Sequence, residues 1–506
     1  MLASTEGNWP VRLPAMTAMF SSDGFQDSQR SMVTMAAAES TDIDNLQEVY
    51  QIKETCDVIK KRGFQKVALQ FPDELLVDSV QIASQIESET EAKVYILGDT
   101  SYGSCCVDEV AAEHAGAQYL VHYGRSCLSP SRRLPVMYVF GRRPVDLQRC
   151  SASFQELYPD RQSHVIILYD VIYSHISDDL LELLYPQYPN VVTSTVHMDG
   201  SQCYIPGQTQ SQETLNHSQN EHECIHKFGR KFSLKEGYKL EDYSMFYIGQ
   251  EGATLTNFMM TWNRCSFTSF DPVSMGGRVE TVNINRALMK RYYLIERAKD
   301  AAVVGILVGT LGVANYLTVI DQLKDTLRKA GKKSYVFAMG KLNVPKLANF
   351  LEIDIYVLVA CCESSLLDSS EFYRPVVTPF EMEVACNKHQ EWTGDYVTDF
   401  RDLLPGACRH VEFPDPGEEG EEVDVSLVTG ALRSVHFSSA PVGSVTDSSL
   451  VQRNQTLTVA HANTAASFLA ERSWQGLEQK LGETPVVKAV EGRRGIAIAY
   501  EDEGMS

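Results

Sequence analysis

The sequence lacks any apolar run long enough to cross a bilayer, and with 44% hydrophobic and 22% charged residues it has the composition of a water-soluble globular protein. The first forty residues show no basic segment followed by an apolar one, so no secretory signal is expected and the expected compartment is the cytoplasm. Positive charge is scarce. Against 66 Asp and Glu stand 45 Lys and Arg, a net charge of −21, which excludes a nucleic-acid coat and leaves little attraction for anionic lipid. Short basic clusters such as Arg132-Arg133, Arg142-Arg143 and the run from His226 to Lys231 read as solvated faces beside turns. Both Gly-rich phosphate fingerprints are missing. Gly305 to Gly312 follows a strand-like run but matches neither pattern, and a tight strand-to-helix turn accounts for it. No two cysteines show the C-x2-4-C spacing by which one knuckle supplies two zinc ligands.

Cysteine itself is plentiful, with twelve in the chain. In a reducing compartment these are metal ligands or buried thiols rather than a disulfide framework. Three apolar, β-rich runs lead to cysteine, the first two through Gly-containing loops and the third directly. Cys105 and Cys106 follow Val94 to Leu97, Cys127 follows Tyr119 to Tyr123, and Cys361 and Cys362 follow Ile355 to Ala360. Strands of a parallel sheet present ligands at their carboxyl ends, so these loops are expected to build one metal centre from distant parts of the chain. Neighbouring side chains of an extended segment diverge, so one member of each adjacent pair is expected to ligate and the other to pack. Three convergent thiolates would leave one position open on an iron–sulfur cluster, but thiolates alone do not separate such a cluster from structural zinc. The remaining cysteines share no evident geometry. His122, His164 and His175 lie in or beside apolar strands and read as core histidines.

At 506 residues the chain is long enough for several domains. Residues 1–42 lack periodicity and are expected to be disordered. The spacing from Ile43 to Arg62 predicts one amphipathic helix stopped by Gly63, then a strand to Phe71 and a helix N-capped by Asp73. Alternation of strands and helices makes 43–150 a parallel α/β domain, and the same order recurs over 279–400. A third unit is expected at 151–278, decorated by a polar, solvent-exposed insertion at 200–242. Residues 401–506 read as a tail with docking segments near 466–478 and 491–501.

Four stretches resemble a known family: Gly98 to Asp108 (GDTSYGSCCVD), His122 to Leu128 (HYGRSCL), Leu288 to Lys299 and Arg374 to Glu383. They look like the diphthamide synthases, the 2-(3-amino-3-carboxypropyl)histidine synthases. Phe228 to Phe232, Ser473 to Leu477 and Arg493 to Ala497 point more narrowly to the second-subunit branch of eukaryotes. The resemblance implies three similar α/β domains around a central [4Fe-4S] cluster. It also implies radical transfer of the 3-amino-3-carboxypropyl group from S-adenosylmethionine to a histidine of translation elongation factor 2. The implied partners are diphthamide biosynthesis protein 1, in a heterodimer, and a CSL-type zinc protein as electron donor. Catalytic members carry a Gly-Gln-x-Leu-Gly-Cys loop in the middle domain. Here the strand 164–169 runs into Asp170-Val-Ile-Tyr-Ser-His175, without a thiol. Cys106, Cys127 and Cys361 then make up the expected ligand set, with Cys105 and Cys362 as stand-ins. The departure implies an accessory subunit whose cluster relays electrons to the catalytic partner; the alternative is a scaffold with zinc or no metal.

Overall fold

Tyr119–Tyr123, Val165–Tyr169 and Ile355–Val359 are buried along their whole length, which marks each as an inner strand of a sheet covered on both faces. Each buried Val, Leu or Ile contributes roughly 1.5–3 kcal/mol, so these strands anchor their sheets. The computed structural model describes residues 43–98, 103–197, 203–204, 224–413, 423–430 and 432–434. All lie in the first of two compact units, Met1–Ser439.

Three sheets repeat one plan. In the first, Lys93–Leu97, Lys66–Gln70, Tyr119–Tyr123, Val136–Val139 and Cys203–Tyr204 run side by side, all parallel. The second places Val191–Thr193, Val165–Tyr169, Ser244–Ile248 and Ser266–Asp271 in parallel and adds Gly276–Val279 as an antiparallel edge. The third orders Lys333–Ala338, Val303–Val308, Ile355–Val359 and Val376–Val377, again parallel. In each sheet the first strand in sequence is flanked by the second and the third, and the fourth lies beyond the third. The α/β class with three similar parallel sheets is the architecture found. Crossing order between the first and third strands opens a crevice at their carboxyl ends, where ligands of open α/β sheets sit.

The fourth strand of each sheet, and the antiparallel edge of the second, are absent from the sequence reading above. The expected single helix from Ile43 to Arg62 is two helices, Ile43–Val49 and Ile52–Arg62, broken at Gln51, whose φ of 47° cannot continue a helix. Gly63 does stop the second, with φ 69°. Asp73 opens a 3-10 turn, Asp73–Asp78, and the α-helix begins only at Ser79, so Asp73 is not its cap. Within the insertion expected at 200–242, Cys203–Tyr204 extends the first sheet, and Cys224–Lys227 and Arg230–Ser233 form an antiparallel hairpin beside Thr195–Val196. Leu147–Leu157 is a helix spanning residue 150, the expected junction of the first two domains. Val423–Val425 and Leu432–Ser434 pair as a hairpin, and the Ser426 hydroxyl donates to Asp300 at 2.7 Å. Residues 1–42 and the docking segments expected near 466–478 and 491–501 lie outside the described residues. Among the described residues, no helix is long and apolar enough to cross a membrane.

Candidate metal centre

The loop after Lys93–Leu97 closes in a turn in which the Cys106 N–H donates to the Gly103 carbonyl at 3.2 Å. Asp108 then caps the helix Glu109–His114, its carboxylate accepting from the Ala111 N–H. Gln70, the last residue of the neighbouring strand, grips this turn from both sides. Its amide nitrogen donates to the Cys106 carbonyl at 2.7 Å, and its oxygen accepts from the Asp108 N–H at 2.9 Å. The loop after Tyr119–Tyr123 is tied to the same turn, since the Cys127 N–H donates to the Cys105 carbonyl at 3.1 Å. The third sheet contributes Cys361, two residues beyond Val359. Its loop 309–314 lies against both first-sheet loops. The Ala314 N–H donates to the Pro130 carbonyl at 3.0 Å, and a Cβ on Gly312 would collide with the Val107 carbonyl. The Gly-rich stretch thus serves close packing beside the cysteines.

This framework brings the sulfurs of Cys105, Cys106, Cys127 and Cys361 within 4.8 Å of one another. The short separations are 3.7 Å between Cys105 and Cys361, 3.8 Å between Cys106 and Cys127, and 4.0 Å between Cys105 and Cys106. All four are free thiols at separations far beyond the roughly 2.05 Å of a disulfide. Cys106, Cys127 and Cys361 belong to the same apolar cluster as Ile306, Val308 and Val357 of the third sheet. Cys105 joins its neighbour against the expectation that adjacent side chains diverge. That argument holds for an extended segment, and Cys105 and Cys106 occupy a turn. Cys362 is buried as well but lies outside the four.

The thiols differ in acidity. Cys106 is pushed well above the usual range by hydrogen bonding with Cys105 and its neighbours and by burial, whereas hydrogen bonds from Cys105, Cys106 and Cys127 hold Cys361 well below it. A soft cation would displace the protons of such a cluster of thiols. Two hydroxyls complete the shell: the oxygens of Ser129 and Ser364 each lie 3.3 Å from a sulfur, of Cys127 and Cys361 respectively. His122 is buried, its Nε2 donates to the Ser104 carbonyl at 3.1 Å, and burial lowers its pKa to about 4. It is a neutral core histidine. His164 and His175 are likewise shifted down by burial. Cys56, Cys150, Cys265 and Cys386 are isolated buried thiols shifted up by burial.

A cavity of about 590 Å³ opens beside Cys105, lined also by Arg125, Asp170, Tyr247, Gln250 and Glu363. Asp170, at the end of the middle sheet's first strand, is paired with Arg125 at 3.1 Å. Glu363 accepts from the Thr254 hydroxyl at 3.0 Å, and burial, with the nearby Cys361 charge, pushes its carboxyl up to about 8. The topology corrects the sequence alignment of the middle domain. Cys127 and Cys361 each follow the third strand of their sheet, and the third strand of the middle sheet is Ser244–Ile248, not the strand ending at Tyr169. The loop in the same topological place is Gly249-Gln250-Glu251-Gly252, which has no cysteine. The long excursion between the second and third strands had hidden this correspondence. Gln70, Ser129 and Ser364 were also missed; Ser129 and Ser364 lie two and three residues after candidate ligands, a spacing that could have pointed to them.

Residues 71–397 match a family model described as "Putative diphthamide synthesis protein". A curated relative from Danio rerio, "2-(3-amino-3-carboxypropyl)histidine synthase subunit 2", is 64% identical over 97% of this chain and 98% of its own length. The Homo sapiens protein of the same name is 41% identical over 97% of this chain and 100% of its own length. Among solved structures, that of Dph2 from Pyrococcus horikoshii with a 4Fe-4S cluster is similar in fold, with a TM-score of 0.51, 22% identity, and coverage of 72% of this chain and 96% of that one. With the family model spanning well over half its length and relatives aligned almost end to end, the chain belongs to the diphthamide synthesis family.

Proposed function

We propose that the chain is the accessory subunit of a heterodimeric 2-(3-amino-3-carboxypropyl)histidine synthase. This enzyme would transfer the 3-amino-3-carboxypropyl group of S-adenosylmethionine to a histidine of translation elongation factor 2, the first step of diphthamide biosynthesis. The observation that carries the reading is the convergence of four thiols beside a middle-sheet loop that has none. Cys105, Cys106, Cys127 and Cys361 fit a soft metal group, and we assign them to a [4Fe-4S] cluster, as in the similar archaeal structure. Such a cluster supplies one-electron chemistry. The role of this chain's residues is to hold it in apolar surroundings and to fill its coordination. With a fourth thiol in reach, the chain's own cysteines would fill the coordination of such a cluster and leave no position for substrate. That supports electron relay to the catalytic partner, diphthamide biosynthesis protein 1, with a CSL-type zinc protein as donor, in the cytoplasm where translation proceeds.

Anaerobic purification tests the reading. A brown chain with iron, sulfide and a reducible EPR signal is expected, with no modification of elongation factor 2 until the partner is added. Product formed by this chain alone from S-adenosylmethionine and a reductant would sink the accessory role. In an intact heterodimer, loss of Cys106 and Cys361 together is expected to slow modification driven by the protein donor more than modification driven by dithionite. Equal impairment with both would rule against the relay.

One observation favours a second reading, a zinc scaffold. Three of the six sulfur separations, at 3.7–4.0 Å, match the edge of a tetrahedron around a single ion, about 3.8 Å for metal–sulfur bonds of about 2.3 Å. A four-iron cluster would require the same four sulfurs to spread apart on loading. A colourless chain holding one zinc and no sulfide would establish the scaffold.

A further inference from the structure

Two hydroxyls approach the sulfurs of the site. Ser129, in the loop after Tyr119–Tyr123, places its oxygen 3.3 Å from the Cys127 sulfur. Ser364, in the loop after Ile355–Val359, places its oxygen 3.3 Å from the Cys361 sulfur and 3.8 Å from that of Cys105. Its N–H also donates to the Cys361 sulfur at 3.4 Å. A free thiol can donate to a serine oxygen, but a metal-bound sulfur has no proton to give. On metal binding the direction must reverse, with each hydroxyl donating to a thiolate. The Cys106 sulfur has no hydroxyl neighbour of this kind among the described residues.

We propose that Ser129 and Ser364 are tuning residues that set the reduction potential of the bound cluster by donating hydrogen bonds to the sulfurs of Cys127 and Cys361. The inference rests on the cluster assignment made above. Hydrogen bonds to cluster sulfurs withdraw negative charge, and they do so more strongly in the reduced state, which carries one more electron. Each donor therefore raises the potential. A subunit that receives electrons from one protein and hands them to another needs a potential between the two, and two serines provide that adjustment without altering the ligands. Both are partly exposed and neither is a ligand, so they can change with little cost to the fold.

The test uses the full chain reconstituted anaerobically with iron and sulfide, and separately loaded with cobalt(II). Ser129→Ala and Ser364→Ala are compared with Ser129→Thr and Ser364→Thr, which keep the hydroxyl. Each alanine variant is expected to hold the wild-type amounts of iron and sulfide while its midpoint potential, from an EPR-monitored redox titration, moves to a more negative value. The threonine variants return toward wild type, and the double alanine variant moves furthest. In the cobalt form, losing a donor shifts the sulfur-to-cobalt charge-transfer band to lower energy. Unchanged potentials in fully loaded alanine variants would overturn the proposal. So would a loss of metal that threonine does not restore, since packing rather than the hydroxyl would then be responsible. A wild-type chain that binds cobalt but no cluster would refute the cluster assignment instead, and the cobalt band would still decide whether the hydroxyls donate: an unshifted band in the alanine variants counts against them.

Discussion

Gln70 and His122 are register partners on adjacent parallel strands, and their side chains hold the backbone on either side of Cys105 through the carbonyls of Cys106 and Ser104. The grip explains how two consecutive cysteines both turn inward. Gln70→Leu would leave the Cys106 carbonyl and the Asp108 N–H unpaired, at about 1–3 kcal/mol for each such buried group. A lower melting temperature and reduced iron per chain are expected, and Gln70→Glu, which retains only the acceptor half, should fall between. Full iron content in Gln70→Leu would show that the turn does not need the grip.

Alanine replacement separates the four sulfurs from their neighbour. Cys105, Cys106, Cys127 and Cys361 are each expected to lower metal affinity when changed to Ala, measured by competitive cobalt(II) titration. Cys362→Ala is expected to leave it unchanged, since that sulfur lies outside the group. If Cys105→Ala binds as tightly as wild type, the site has three ligands and an open position.

The pH dependence of stability includes two opposing contributions, one from Glu383 and one from His122 beside the cysteine turn. Burial raises the Glu383 carboxyl from 4.5 to about 7. Between those values the folded chain keeps a proton that the unfolded chain has released, so this contribution is lost as pH rises, to a total of up to about 3 kcal/mol. His122 works the other way. Its folded pKa of about 4 lies below the ordinary 6.5, so its contribution is present above 6.5 and lost as pH falls toward 4. Glu383→Gln is therefore expected to melt higher than wild type by a few degrees at pH 8, with the advantage shrinking toward pH 4.5. A constant difference across that range would contradict the burial of this carboxyl.

Gly312→Val tests the contact between the third-sheet loop and the cysteine turn. The added side chain must push away the Val107 carbonyl, one residue beyond Cys106. Overpacking of this kind costs about 1–3 kcal/mol, and loss of bound metal is expected beyond that of an equally destabilised variant elsewhere.

The chemistry of the site was legible because each of Tyr119–Tyr123 and Ile355–Val359 is a mostly apolar, β-rich run that leads to a cysteine loop, a pattern that needs no tertiary information. What the sequence concealed depended on three dimensions. Cys105 turns inward because of a hydrogen bond from Cys106 N–H to Gly103 and the Gln70 grip, neither of which has a local signature. Val376–Val377 is a strand only because Ile355–Val359 lies beside it; two residues carry no period. The place of the Gly249 loop, after the third strand of the middle sheet, was hidden because 197–243 separates the second and third strands there, while the other two sheets connect theirs with a single short helix.

Cys105 and Cys361 touch across 256 residues of sequence. At a synthesis rate of about 5–20 residues per second, the first three thiols of a growing chain wait roughly ten to fifty seconds for the fourth. In the proposed reading a metal could be held by all four sulfurs only once Cys361 has been made and the third sheet has folded, so completion of that sheet would time the closing of the site.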